Sequence, residues 1–195
     1  KQHTLDLRRS ILSAAEQRFS QYGYNKTTMA EIAKDCDMSA ANIYRYFENK
    51  LDIGANLACQ CLNEEITTLQ SIVNETDLTI AERLRGFVMA SLEQTHKQWS
   101  DKPRINEMVT AICHERMDIV DQHIHKKQAL IVTLLRQGNT SGEFNAVDPE
   151  ATADAVLTAC TLFDVPLLMP MFSLETLQRK ATLLVDLILK GLLKR

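Results

Sequence analysis

Residues 27–50 have the sequence TTMAEIAKDCDMSAANIYRYFENK, from which the fold of the N-terminal part of this chain can be predicted. Thr28 and Glu31 match a Thr-x-x-Glu capping box, which begins one short helix. Ser39 is placed to cap a second, very short helix after a turn of four or five residues. Asp37 lies in that turn and is a residue type that tolerates left-handed backbone. Two short helices joined by a tight turn predict a helix-turn-helix unit.

The residues of this unit divide into an inner set and an outer set. The inner set is apolar and forms the expected core: Met29, Ile32, Ala33, Met38 and Ile43. The outer set is rich in hydrogen-bonding side chains, on the second short helix and just beyond it: Ser39, Ala40, Asn42, Tyr44, Arg45, Tyr46 and Lys50. Such side chains suit phosphate oxygens and base edges. The alternative is that the aromatic rings pack only inside the unit, which we expect for Phe47.

The rest of the chain also predicts helices. A first helix over residues 5–22 precedes the unit, with Gly23 at its C-cap. After residue 50 the predicted helices span 50–74, 80–99, 103–113, a longer segment to Arg136 that Gly138 closes, 149–163 and 174–193. Capping residues precede several of them, including Asn49, Thr79, Asp148 and Ser173. We therefore expect an all-α fold of about nine helices, with domains over residues 1–49 and 50–195.

The chain is mildly acidic on average, but its charge is unevenly distributed along the sequence. The formal net charge is −3 over 195 residues. Residues 1–50 carry 8 basic and 6 acidic groups, whereas residues 51–195 carry 14 basic and 19 acidic groups. A polyanionic partner is therefore expected to meet the N-terminal part.

The spacing of the cysteines and the lack of catalytic and membrane motifs limit the classes of protein that we expect. Five scattered cysteines without a CxxC pair favour reduced thiols in a cytoplasm. No apolar run predicts a signal peptide or a membrane span. The sequence contains no GxSxG, P-loop, GxGxxG or HExxH motif, so we expect no enzyme and no cofactor. A metal site remains an open alternative, with four donors at one-face helical spacing: His114, Asp118, Asp121 and His125.

Residues 8–53 resemble the N-terminal domain of the tetracycline-repressor (TetR) family of bacterial one-component regulators. The resemblance rests on four segments: ILSAAEQRF (11–19), GYNKTTMAEIA (23–33), MSAANIYRYF (38–47) and NK (49–50). The remainder agrees with the family in its helical character and length. Asp37 departs from the glycine that the family often has in the turn. The resemblance implies an N-terminal three-helix DNA-binding domain and a C-terminal ligand-binding and dimerisation domain.

The resemblance also implies a mode of DNA binding. A homodimer would place two recognition helices on a palindromic operator in double-stranded DNA. Thr27 and Thr28 would hold a phosphate. The recognition helix would begin at Ser39 and Ala40. Contacts to bases or backbone would come from Asn42, Tyr44 and Arg45. Tyr46 and Lys50 resemble phosphate clamps. Arg45 is the candidate guanine reader because its guanidinium matches O6 and N7, with a phosphate contact as the alternative.

The C-terminal part has candidate ligand and dimer residues. The family usually holds a small-molecule effector among its middle helices, and the residues with a suitable mixture of apolar and polar groups are Phe87, Ser91, Gln94, His96, Trp99, Met108, Cys113, Met117, His123 and Phe163. For each of them, ordinary core packing is the alternative. Two apolar helices near the C-terminus imply a dimer interface, formed by Ala153, Val156, Leu157, Cys160, Leu184, Leu187, Ile188 and Leu192.

The functional expectation follows from these residues and the resemblance together. We expect a cytoplasmic bacterial regulator, a repressor associated with the nucleoid when bound to its operator and released by an unknown small effector. It should have no membrane partner. The alternatives are a helical ligand-binding or protein-interaction module without DNA binding, and a metal-responsive regulator.

Overall fold

The computed structural model describes residues 2–193, with the backbone only at Gln2 and His3. Residues 1, 194 and 195, which include the ends of the two predicted domains, lie outside the described residues. Over residues 2–193 the chain forms nine α-helices and two 3-10 helices. The first four α-helices are α1 (Gln2–Tyr22), α2 (Met29–Asp35), α3 (Ala40–Ile43) and α4 (Lys50–Val73). The others are α5 (Ile80–Asp101), α6 (Asn106–Glu115), α7 (Met117–Ser141), α8 (Pro149–Asp164) and α9 (Leu174–Leu192).

Helix starts agree with the capping residues that the sequence identifies. At α2 the backbone N–H of Glu31 donates to Thr28 Oγ1 at 3.3 Å, and the N–H of Thr28 donates to the Glu31 carboxylate at 2.8 Å. Thr79 and Glu82 form the same reciprocal pair before α5. Asp148 accepts from the N–H of Ala151 at the start of α8. These bonds satisfy N–H groups that have no partner within the helix.

Two 3-10 segments depart from the sequence prediction. Residues 103–113 do not form one helix, because Pro103–Ile105 is a 3-10 turn that leads into α6. A second 3-10 segment, Pro166–Met171, follows α8 and was not predicted. The second segment contains Pro170 in its interior, and proline lacks the N–H that an α-helix interior requires.

Gly138 does not close α7, contrary to the prediction, because the helix continues to Ser141. Gly142 follows it with a φ of 76°, a conformation that glycine adopts without strain. Gly138 is instead a packing position. A Cβ at Gly138 would lie 2.4 Å from Cδ2 of Phe144, whose ring is buried against the helix.

The chain packs into two compact units. Unit 1 comprises the residues up to Leu62 together with Ser100–Val120, and unit 2 comprises Asn63–Trp99 and the residues from Asp121 onward. These units do not follow the predicted division after residue 49, since the first half of α4 and all of α6 pack with α1, α2 and α3. Each unit has its own apolar core. No helix among the described residues has the length and apolar character needed to cross a membrane.

Replacing Gly138 by alanine tests the packing explanation. We expect Gly138→Ala to lower the free energy of unfolding by about 1–3 kcal/mol, because Phe144 must leave its site to admit the methyl group. Gly191→Ala is the matched control, since a Cβ at Gly191 in α9 meets no atom within 4 Å. That control should be neutral or stabilising. Denaturant unfolding measures both, and equal stability of the two variants would contradict the explanation.

Candidate nucleic-acid interface and a buried charged cluster

The α2–α3 segment has the geometry of a helix-turn-helix. Asp37 takes the left-handed conformation expected of the turn, with a φ of 53°. The N–H of Met38 donates to the carbonyl of Ala33 at 3.0 Å, which closes the turn behind α2. Ser39 then caps α3 by accepting from the N–H of Asn42 at 3.2 Å. The sequence predictions for this segment are therefore confirmed in its backbone.

Burial fixes which side of α3 faces outward. Ile43 is fully buried and Phe47 is 1% exposed, so they anchor the segment to the core of unit 1. Arg8 from α1 stacks its guanidinium over the Phe47 ring at 4.2 Å. Tyr44 is 55% exposed, and Arg45 is exposed beside it. Of the other predicted DNA contacts, Thr28, Ser39 and Ala40 are exposed and Asn42 and Tyr46 are half-buried.

Thr27 and Lys50 are engaged within unit 1. Thr27 is buried, and its hydroxyl donates to the carbonyl of Gly23 at 2.8 Å. The ammonium of Lys50 donates to the carbonyls of Tyr24 at 2.7 Å and Thr27 at 2.9 Å, with Asn25 at 3.4 Å. These bonds occupy the Thr27 hydroxyl and the Lys50 ammonium, so they do not support the phosphate contacts that were predicted for the two side chains. Both residues instead hold the turn that leads into α2.

Glu107 of α6 also binds this turn, a contact that was not predicted from the sequence. Its carboxylate accepts from the N–H of Asn25 at 2.8 Å. The pKa of Lys50 is lowered by burial, although the charges of Glu107 and Glu31 oppose that change. Only the fold brings Glu107 to the turn, because 82 residues separate it from Asn25.

The predicted ligand-pocket residues fall into two groups. Seven belong to unit 2: Phe87, Ser91, Gln94, His96, Trp99, His123 and Phe163. The other three belong to unit 1, where Met108 lies in the apolar core and Cys113 and Met117 are exposed. In unit 2, Phe87, Ser91 and Phe163 are buried and the other four are half-buried.

Ser91 and His123 belong to a buried charged cluster, defined by Glu65, Ser91, His123, Lys127 and Asp164. The Lys127 ammonium donates to Glu65 Oε1 at 2.9 Å and to the Ser91 hydroxyl, and lies 3.2 Å from Asp164 Oδ1. His123 Nε2 lies 3.2 Å from Glu65 Oε2. The buried Nδ1 of His123 has no hydrogen-bond partner. Four helices (α4, α5, α7 and α8) supply these five side chains.

The charges of the cluster stabilise one another. Burial alone would raise the pKa of Glu65, but the hydrogen bond from His123 and the positive charge of Lys127 lower it to about 2. Burial would likewise lower the pKa of Lys127, but the charges of Asp164 and Glu65 raise it. Glu65, Lys127 and Asp164 were not predicted as site residues, because a charged residue on a helix is normally interpreted as solvated.

The predicted dimer residues also divide by burial. Ala153, Val156, Cys160 and Leu192 are buried in the core of unit 2, so an exposed interface does not include them. Leu157, Leu184 and Ile188 are half-buried, whereas Leu187 is 68% exposed. Leu183, which the sequence analysis did not single out, is 57% exposed on the same helix, α9.

The helical face proposed for metal binding does not exist as predicted. His114 lies in α6, and the chain breaks at Arg116 before α7 begins. Arg116 forms a two-pronged ion pair with Asp118, and His125 Nδ1 contacts the carbonyl of Asp121 at 2.7 Å. Within residues 2–193, no group of three or more His, Cys, Asp or Glu side chains is arranged to hold a metal ion.

The depressed pKa of Glu65 predicts a loss of stability in acid. Its stabilising contribution is complete above the ordinary pKa of glutamate and disappears as the pH falls towards about 2. The shift corresponds to about 3 kcal/mol of unfolding free energy. The unfolding free energy, measured by denaturant titration, should therefore fall less steeply between neutral and acid pH for Glu65→Gln than for the wild type. The exposed neighbour variant Glu64→Gln should keep the wild-type pH dependence, and equal slopes for all three would contradict the assignment.

Two family models match this chain. The model described as "Bacterial regulatory proteins, tetR family" matches residues 11–54. The model described as "Tetracyclin repressor-like, C-terminal domain" matches residues 81–185, more than half of the chain. An uncharacterised HTH-type transcriptional regulator of Bacillus subtilis, YhgD, is 28% identical over 97% of this chain and 98% of its own. The HTH-type transcriptional repressor BepR of Brucella suis is 43% identical over 53 residues, which are 27% of this chain and 25% of BepR.

Solved structures share the fold. A TetR-family regulator from Mesorhizobium loti superimposes with a TM-score of 0.74 at 15% identity, covering 98% of both chains. SmeT, the repressor of a multidrug efflux pump of Stenotrophomonas maltophilia, superimposes with a TM-score of 0.71 at 20% identity, covering 96% of this chain and 90% of SmeT. Helix-turn-helix geometry and family models over both parts of the sequence lead to one conclusion. The chain belongs to the tetracycline-repressor family, whose members are DNA-binding transcriptional regulators and not enzymes.

Proposed function

We propose that this regulator is a homodimeric repressor that binds a palindromic operator and is released by a small-molecule effector. The observation that carries the proposal is the outward surface of α3 and the turn after it. Tyr44 and Arg45 are exposed there, on a segment that the buried Ile43 and Phe47 hold in place. An exposed tyrosine and arginine beside a helix-turn-helix suit contact with base edges and phosphates. Bound to its operator, the protein would be associated with the nucleoid.

Repression is the proposed mode because relatives carry that description. BepR is named as a transcriptional repressor, and SmeT as the repressor of an efflux pump. A protein-interaction module without DNA binding is not favoured, because the helix-turn-helix part matches the family model over residues 11–54. The proposed effector would enter unit 2, where candidate pocket residues adjoin the buried charged cluster.

Dimerisation is proposed from the exposed face of α9. Leu183 and Leu187 are large apolar side chains that are more than half exposed, next to the half-buried Leu184 and Ile188. An exposed apolar surface of this kind is typical of an interface between protein chains. A dimer is also the physical route to specificity, since one short helix contacts only a few base pairs and two half-sites multiply the discrimination.

Substitutions at the outward surface test operator binding. We expect Tyr44→Ala and Arg45→Ala each to weaken binding by about 1–3 kcal/mol, the range for a lost direct contact to a base. Fluorescence anisotropy with a duplex selected from a random-sequence pool measures the affinity. Gln60→Ala, an exposed change elsewhere in unit 1, is the control and should bind as the wild type does. Wild-type affinity in both Tyr44→Ala and Arg45→Ala would refute the proposed surface.

A charge on α9 tests the dimer. Leu187→Glu should shift the protein from dimer to monomer in sedimentation velocity, because a carboxylate would be buried without a partner at the interface. Val147→Glu is the matched control, since Val147 is 93% exposed in the α7–α8 loop, and it should remain dimeric. Circular dichroism establishes that both variants fold. A monomeric wild type, or a dimeric Leu187→Glu variant, would contradict the proposal.

A further inference from the structure

The buried charged cluster has more hydrogen-bond acceptors than donors. The three N–H groups of Lys127 are directed at Glu65, Ser91 and Asp164. The single hydroxyl proton of Ser91 serves two carboxylate oxygens, Glu65 Oε1 and Asp164 Oδ1, each 2.7 Å away. His123 Nε2 lies 3.2 Å from Glu65 Oε2, and the other ring nitrogen, Nδ1, is buried without a partner. The cluster is therefore short of donors.

The cluster is also short of positive charge. Two carboxylates, Glu65 and Asp164, face one permanent cation, the Lys127 ammonium. The surroundings are apolar, since Phe87 and Cys160 are buried next to the charged groups. Burial and the charge of Asp164 raise the pKa of Cys160 to about 12, so the thiol does not change this balance. An unbalanced charge in such surroundings is costly, and a cation would offset it.

We infer that this cluster recognises a protonated amine on an apolar body, such as an arylalkylammonium ion. Its N–H groups would donate to His123 Nδ1 and to the Asp164 carboxylate, and its positive charge would offset the second carboxylate, which Lys127 alone does not balance. Phe87 and Phe163, both buried in the same core, supply apolar and aromatic surface of the kind that attracts ammonium groups. Asp164 is the most exposed member, with 20% of its side chain accessible, and marks the side of entry.

An anionic ligand fits this cluster poorly. Lys127 is the only permanent cation of the cluster, and its three N–H groups already face protein oxygens. A carboxylate ligand would have to displace Glu65 or Asp164 from it and would add a third carboxylate to the cluster. The inference rests on the proposed function, because it assigns a chemical class to the effector that releases the operator.

Calorimetry on the full chain without DNA tests the inference directly. The probes are a series of amines from benzylamine to 4-phenylbutylamine, with the carboxylates of matching length as counterparts. We expect the amines to bind and to raise the melting temperature, and the carboxylates to do neither. Glu65→Gln and Asp164→Asn keep the side-chain shape but remove one negative charge, so each should weaken amine binding at least about tenfold. Asp186→Asn, which removes an equal charge from a surface ion pair with Arg85, is the control and should bind as the wild type does.

The results of these experiments test the inference and the proposed function separately. If Glu65→Gln does not fold, Asp164→Asn at the more exposed carboxylate decides the matter. Binding of the carboxylates in place of the amines, binding of neither series, or full amine affinity in both variants would overturn the inference. Operator binding of the unliganded protein is measured separately by anisotropy. If the unliganded protein does not bind the operator, the proposed function is refuted. If amines bind but do not release the operator, only the link between the cluster and regulation is refuted.

Discussion

The burial of Ile43 and Phe47 beneath α3 is the constraint on which the DNA-facing surface depends. A helix of four residues has no stability of its own, so its position is set by the side chains that it buries. With these two residues fixed in the core of unit 1, Tyr44 and Arg45 must face outward. The turn before α2 is fixed in a similar way, by Lys50 from α4 and Glu107 from α6, which bind its backbone groups. Side chains from α4 and α6, which lie outside the two short helices, thus help to hold the helix-turn-helix in position.

Unit 2 contrasts with this arrangement because it places charge inside an apolar core. A buried ion pair seldom stabilises a protein more than apolar residues of the same size would. A lysine, two carboxylates, a serine and a histidine from four helices are therefore hard to explain by stability alone. The unpartnered Nδ1 of His123 and the excess of negative charge are consistent with a cluster that is completed by a ligand. In a regulator, such incompleteness links the stability of the unit to the presence of the effector.

Local chemistry was predictable from the sequence, and contacts distant in sequence were not. The capping pairs at Thr28 and Thr79, the left-handed Asp37 and the helix-turn-helix follow from neighbouring residues and were confirmed. Gly138 was misinterpreted because only the fold shows that Phe144 occupies the space of its missing side chain. Lys50 was predicted to reach phosphate, but the carbonyls of the α1–α2 turn lie within its reach. The charged cluster escaped prediction since its members are up to 99 residues apart, and nothing in a single helix reveals that they converge.

The surface around α3 is proposed to bind DNA with sequence specificity. The most direct test is the salt dependence of binding to a selected palindromic duplex, compared with a scrambled duplex of the same composition. Affinity for the palindrome is expected to fall by orders of magnitude with rising salt, because contacts to phosphates release counterions. The palindrome is also expected to be preferred over the scrambled duplex at every salt concentration. Equal affinity for the two duplexes, or binding that does not respond to salt, would show that this surface does not read DNA sequence.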